Sequence, residues 1–148
     1  PAEPPVSADL PALLVSSLGD QAVFVGKNRF DYLVELDSAE AVGRFEPDLP
    51  AIRQLPARGV IVTGLVCVGE FDFVSRFFAP ACGVDEDPVC GSAHCCLGPH
   101  WSERLGKQQV LGHQISPRGG GIAGELAGDR VRLGGQAVTV LRGELLHG

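Results

Sequence analysis

Between Asp85 and Leu105 the chain reads DEDPVCGSAHCCLGPHWSERL, the one stretch suited to an extended helix in a sequence otherwise made of short, strand-like pieces. Pro88 cannot sit deep inside a helix and Gly91-Ser92 is a natural start, so the helix is predicted to begin between residues 91 and 93. Ala93, Leu97, Trp101 and Leu105 then fall on one face. An apolar helix face needs a partner surface, and here strands must provide it. Gly98-Pro99 in the middle predicts a kink or restart.

The strand candidates follow from alternation and β-branching. Gly59 to Val68 (GVIVTGLVCV) is nearly continuous in apolar residues, the pattern of a central strand covered on both faces. Phe71 to Phe78 reads as its neighbour. Gln21 to Val25 and Phe30 to Leu36 form a hairpin across a turn at Gly26 to Arg29. After the helix come Gln109 to Ser116, Gly121 to Leu126, Val131 to Leu133, Gln136 to Leu141 and Glu144 to Leu146, separated by glycine-rich turns. Short helices are predicted after Ser7 or Asp9, with Leu10, Leu13, Leu14 and Leu18 ending at Gly19, after Ser38 as far as Pro47, and over Asp48 to Leu55. The expected class is α+β, a mostly antiparallel, curved, barrel-like sheet wrapped around a central helix, in one domain over residues 1–148.

Composition narrows the function. With 45% hydrophobic and 20% charged residues in 148, the chain can bury a core. Its net charge of −6, with no run of Lys or Arg, disfavours nucleic acid or an anionic membrane as partner. No apolar run is long enough to span a bilayer, and PAEPPVSADL lacks the features of a signal peptide. A cytoplasmic setting and a small-molecule ligand are the expectation. The five cysteines, two adjacent at Cys95 and Cys96, suggest free thiols. The absence of methionine and the proline-rich leader fit a processed start or a segment of something longer.

The predicted helix start concentrates chemistry. Amides at Gly91, Ser92 and Ala93 would lie free at the positive end of the helix dipole, where a carboxylate or phosphate is stabilised. Cys90 sits at the same end, where thiolate character rises. Asp87, just upstream, is placed to exchange a proton with a bound molecule. Taken singly, Asp85-Glu86-Asp87 reads as a solvated acidic turn, Cys90 as a buried inert thiol and His94 as a structural histidine. Together, an acid, a thiol and a glycine at one helix start share an anion-handling purpose. Further along, Gln114 and Ser116 alternate onto one strand face, and Arg118 can fork onto a carboxylate or stand as an exposed turn residue.

Three other motifs fail on context. Gly119, Gly121 and Gly124 match GxGxxG but lead into a strand pattern, which argues against a dinucleotide site. Ser92 and His94, two apart on a helix, face different directions and do not form a hydrolase triad with Asp87. The cysteines and histidines lack zinc spacing, so no metal is expected.

The segments FVSRFFAP (Phe73 to Pro80), EDPVCGSAH (Glu86 to His94), WSERLGK, QISPRGG and VRLGGQAVTVLRGEL resemble, in order and spacing, the second half of the PhzF-like isomerases, which belong to the diaminopimelate-epimerase-like fold. The resemblance runs from about Phe30 to Leu146. It implies one lobe of a pseudo-twofold pair, each lobe a sheet around a central helix, with a cleft between the two helix N-termini. It also implies a cofactor-independent proton transfer on a small carboxylate-bearing metabolite. In that scheme Asp87 and Ser92 assist, Gly91 and Ala93 offer amides, and His94, Gln114 and Arg118 line the cleft. The family's main acid/base glutamate lies in the first half, which this sequence lacks. A missing N-terminal lobe, or a homodimer rebuilding the cleft as a binding module, would then complete it. Cys90 stands where the isomerases often have threonine and where epimerase relatives keep a catalytic cysteine, so two-base epimerisation stays open.

Overall fold

The computed structural model describes residues 1–144. Eight strands form one sheet in sequence order: β1 (Val6–Ser7), β2 (Ala22–Lys27), β3 (Asp31–Leu36), β4 (Gly59–Leu65), β5 (Phe73–Phe78), β6 (Gln109–Gln114), β7 (Gly120–Ala127) and β8 (Arg130–Gly134). Neighbours are antiparallel except β3 with β4 and β5 with β6, so the sheet is mixed, with antiparallel pairs in the majority. Short helices α1 (Val15–Leu18), α2 (Ala39–Arg44) and α3 (Leu49–Arg53) precede β4, and α4 (Gly91–Leu105) links β5 to β6.

Period-two alternation puts two different cores on the two faces of β3 to β5. Val34, Leu36, Val60, Val62, Val74 and Phe78 meet Leu14, Leu18, Val42 and Ile52 from the helical segments before β4. Leu33, Ile61, Phe73 and Phe77 point the other way, onto Ala93, Cys96, Leu97 and Trp101 of α4. On the far side of α4, Gly98 approaches Gly124 and Val131 of β7 and β8. Six strands, β3 to β8, would span about 24 Å if laid flat, against a helix about 10 Å across. All six touch α4 only because the sheet curls around it.

The curl does not close. Among the described residues no ladder joins β1 to β8. The N-terminal segment bridges the gap instead, with the Ala2 amide donating to the Asp129 carbonyl (2.8 Å) and the Glu3 amide to the Cys95 carbonyl (2.9 Å). The second bond explains why the helix does not stop and restart at Gly98-Pro99. Proline has no N–H for the carbonyl four residues earlier, and that carbonyl, of Cys95, is taken by Glu3. Helix α4 therefore continues through Pro99.

Other elements differ in detail. The first helix starts after Pro11 rather than at Ser7 or Asp9, because Ser7 pairs in β1. Ser38 caps as predicted and Asp48 caps the next helix, each accepting from the amide three residues on. The second helix ends at Arg44, before Pro47. The strand predicted over Gln136 to Leu141 does not form, since nothing pairs with it, and Val138, Val140 and Leu141 lie exposed. Of the one predicted over Glu144 to Leu146, residues 145 and 146 fall outside the described residues. Among the described residues no helix is long and apolar enough to cross a membrane.

Candidate functional site

Helix α4 begins where its sequence predicts, at Gly91, with Cys90 at the N-cap position. A cap normally satisfies one of the first free amides through a side-chain oxygen. Cys90 makes no such bond, and the amides of Gly91, Ser92 and Ala93 have no acceptor among the described residues. Gly91 and Ser92 are exposed and Ala93 is buried. Nothing in the packing requires a glycine at 91, where an added Cβ would meet only Leu133 at 3.8 Å.

The loop before the helix is held by buried amide chemistry. Gln114, fully buried on β6, accepts from the Cys90 amide through Oε1 (2.9 Å) and donates through Nε2 to the Asp87 carbonyl (2.5 Å). Ser116 Oγ donates to the Pro88 carbonyl (2.5 Å) and accepts from the Gly119 amide (3.1 Å). Upstream, Glu86 takes a two-pronged bond from Arg76 (2.8 and 3.0 Å), whose guanidinium also donates to the Phe45 carbonyl (2.6 Å). Gln114 thus shapes the loop from behind, with both ends of its amide occupied. The half-buried Asp87 is pinned by its backbone, its amide donating to the Phe77 carbonyl (2.9 Å), while its carboxylate forms no hydrogen bond or ion pair with the described residues.

Around the helix start, Cys90 Sγ and Ser92 Oγ are 3.2 Å apart. His94, 2% exposed, bonds through Nδ1 to the Cys90 carbonyl (2.8 Å), and its Nε2 has no partner among the described residues. Burial holds its pKa below the usual histidine value, so the ring is a neutral spacer under the first turn. Arg118 is exposed and borders a groove with Val89, Gly119 and Gly120, beside the helix start. Cys90, Gly91, Ser92 and Ala93 come together at one end of the curled sheet, with the Asp87 backbone tied to Cys90 through Gln114 and His94 packed behind the first turn.

Sequence reading missed Arg58 and Asp31. Arg58 joins the bidentate partner Asp31 on one side to Ser92 Oγ (2.9 Å) on the other. The hydrogen bond to Asp31 raises the arginine pKa further, so the cation is permanent. Asp31 looks in sequence like the polar side of an amphipathic strand. In the structure that side faces α4, and Asp31 and Glu35 are both buried there in ion pairs. Among the described residues no group of His, Cys, Asp and Glu has the geometry to hold a metal ion.

The sequence pattern of the family described as phenazine biosynthesis-like protein (PhzC-PhzF) matches residues 12–143. An uncharacterised isomerase of Halalkalibacterium halodurans is 51% identical over 147 residues, which cover 99% of this chain and 56% of that protein. Another, from Pseudomonas aeruginosa, is 48% identical over 147 residues, covering 98% and 55%. The crystal structure of a phenazine biosynthesis PhzC/PhzF protein from Clostridium difficile superposes with a TM-score of 0.84 at 35% identity, over 98% of this chain and 55% of that one. The chain spans about half the length of these relatives.

Proposed function

Because this chain belongs to the PhzC-PhzF family of phenazine biosynthesis-like proteins, we propose that it forms one wall of an isomerase site that moves a proton on a small carboxylate-bearing metabolite. The naming of its relatives as isomerases supports the reaction type. The observation that carries the reading is the uncapped start of α4, where three amides lie without acceptors among the described residues, close in the chain to Asp87, whose carboxylate has no partner among them either.

Each group has one task in this reading. The amides of Gly91, Ser92 and Ala93 receive the substrate carboxylate, and the helix dipole favours its charge. Asp87 takes or returns a proton at a neighbouring carbon; as an assisting acid/base it works opposite a group from the facing wall. Arg118 extends the anion-attracting rim. Proton transfer beside a fixed carboxylate needs positioned donors and an acid/base pair, so the scheme requires no cofactor. The facing wall corresponds to the part of the relatives' length that this chain does not span, with a second copy of the chain as the alternative source.

The test is deuterium incorporation, in D2O, into a panel of small 2-amino and 2-hydroxy carboxylates by the full-length protein. Incorporation beside the carboxylate that falls at least about 100-fold in Asp87→Asn is the expected result. Incorporation undiminished by that change removes Asp87 from the chemistry. A second reading, two-base epimerisation with Cys90 as one base, is favoured by the 3.2 Å contact between its thiol and Ser92 Oγ at the helix start. It predicts that Cys90→Ala abolishes exchange as completely as Asp87→Asn does.

A further inference from the structure

We propose that Arg58 is a positioning residue for this site, orienting the Ser92 hydroxyl so that it donates toward a bound carboxylate; this rests on the carboxylate reading above. Three elements meet at one guanidinium. Asp31, 1% exposed at the start of β3, takes two of its N–H groups, Nε at 2.9 Å and Nη2 in a second bond. That fork fixes the plane of the group. The rings of Phe30 and Phe77 lie 5.3 and 5.2 Å from its centre. Gly59 makes room for Phe77, since a Cβ there would sit 2.8 Å from the Phe77 ring and 2.3 Å from the Phe78 carbonyl oxygen. Held in this way, Arg58 has Nη1 left to donate, and it donates to Ser92 Oγ at 2.9 Å.

The consequence is a direction for one proton. A hydroxyl that accepts from a permanent cation cannot turn its own hydrogen back toward that cation. Two directions remain for the Ser92 O–H: the Cys90 sulfur at 3.2 Å, a weak acceptor, or the exposed space over the first turn of α4. A carboxylate only accepts hydrogen bonds and is the better partner. Because Asp31 neutralises the arginine, the pair contributes orientation rather than net charge. A lysine, a point charge on a flexible stem, could not hold Asp31 bidentately and reach Ser92 with a fixed third donor.

The experiment is a titration of the full-length protein with acetate, followed by NMR at the Gly91, Ser92 and Ala93 amides. Arg58→Gln alone would strand a buried carboxylate and risk unfolding, so it is paired with Asp31→Asn, and urea unfolding confirms that every variant compared is folded. Ser92→Ala should weaken acetate binding about tenfold, and the Asp31→Asn/Arg58→Gln pair by about the same factor. The triple variant should be no weaker than either, because the two changes remove the same bond. Wild-type affinity in the paired variant, a multiplied loss of about 100-fold in the triple variant, or no acetate response at these amides in the wild type would each overturn the assignment. Acetate binding with this pattern but no deuterium exchange would instead overturn the isomerase reading and leave the role of Arg58 standing.

Discussion

The two ends of α4 are finished in opposite ways. At its C-terminus Gly106 adopts φ 64°, its amide returning to the Glu103 carbonyl and that of Lys107 to the Ser102 carbonyl. One turn earlier the Glu35 carboxylate, from β3, takes His100 and Arg104 together on one oxygen, each at 2.8 Å. That end is closed by the chain's own groups. At the N-terminus a cysteine stands where a capping oxygen would be, and the first amides are left bare. Leaving donors unsatisfied costs stability that a Ser or Asp cap would recover. An opening kept at one end of a helix whose other end is sealed is the feature on which the proposed carboxylate site rests.

The contrast predicts that damage at the two ends reads out in different measurements. The largest effect belongs to the open end, where Asp87→Asn should lower deuterium exchange at least about 100-fold while leaving the urea midpoint nearly unmoved. Glu35→Ala should do the reverse. It strands the buried His100 and the half-exposed Arg104, and should cost about 2 to 3 kcal/mol in urea unfolding, with acetate affinity of the folded protein unchanged. A loss of affinity in Glu35→Ala would show that the two ends are coupled.

A pH effect follows from His94. Its folded pKa lies below the usual 6.5, so under acid the unfolded chain takes up a proton that the folded one refuses. The stability it contributes is complete above pH 6.5 and is lost as pH falls toward the folded value. The slope reaches at most about 1.4 kcal/mol per pH unit. His94→Asn, whose amide can still donate to the Cys90 carbonyl, should flatten the decline in urea midpoint between pH 7 and pH 5. An unchanged slope would mean other groups carry it.

The smallest and most diagnostic pair is glycine against glycine. Gly106→Ala forces a side chain into positive φ and should cost about 1 kcal/mol without touching acetate binding. Gly91→Ala meets nothing closer than 3.8 Å and should stabilise the helix by a few tenths of a kcal/mol. It should nonetheless weaken acetate binding by crowding the bare amides. Equal behaviour of the two variants would erase the distinction between the ends.

How much of this was legible in the sequence depends on whether the cause is local. The start of α4, the cap at Ser38, the short helix after Asp48 and the doubly covered β4 all follow from nearest neighbours and periodicity, and all appear where predicted. The resemblance of EDPVCGSAH to the PhzF-like isomerases holds too, since the family pattern covers that stretch. The unbroken helix at Pro99 was not legible, because the group that accommodates it is the amide of Glu3, far away in the chain. Nor was the gap left between β1 and β8, since whether the two edge strands meet is decided in space and not along the chain.

The same division runs through the site. Sequence by itself determined that α4 would start at Gly91 with its first amides free, because glycine, proline and side-chain periodicity act within a few residues. Only the tertiary structure decided which side chains serve it. It turned the polar side of β3 inward, brought Arg58 across from the end of another loop to Ser92, and placed Gln114 behind the loop with both ends of its amide engaged. A buried carboxylate and a buried amide are tolerable only when partners reach them, and which partners reach them depends on how the sheet curls around α4.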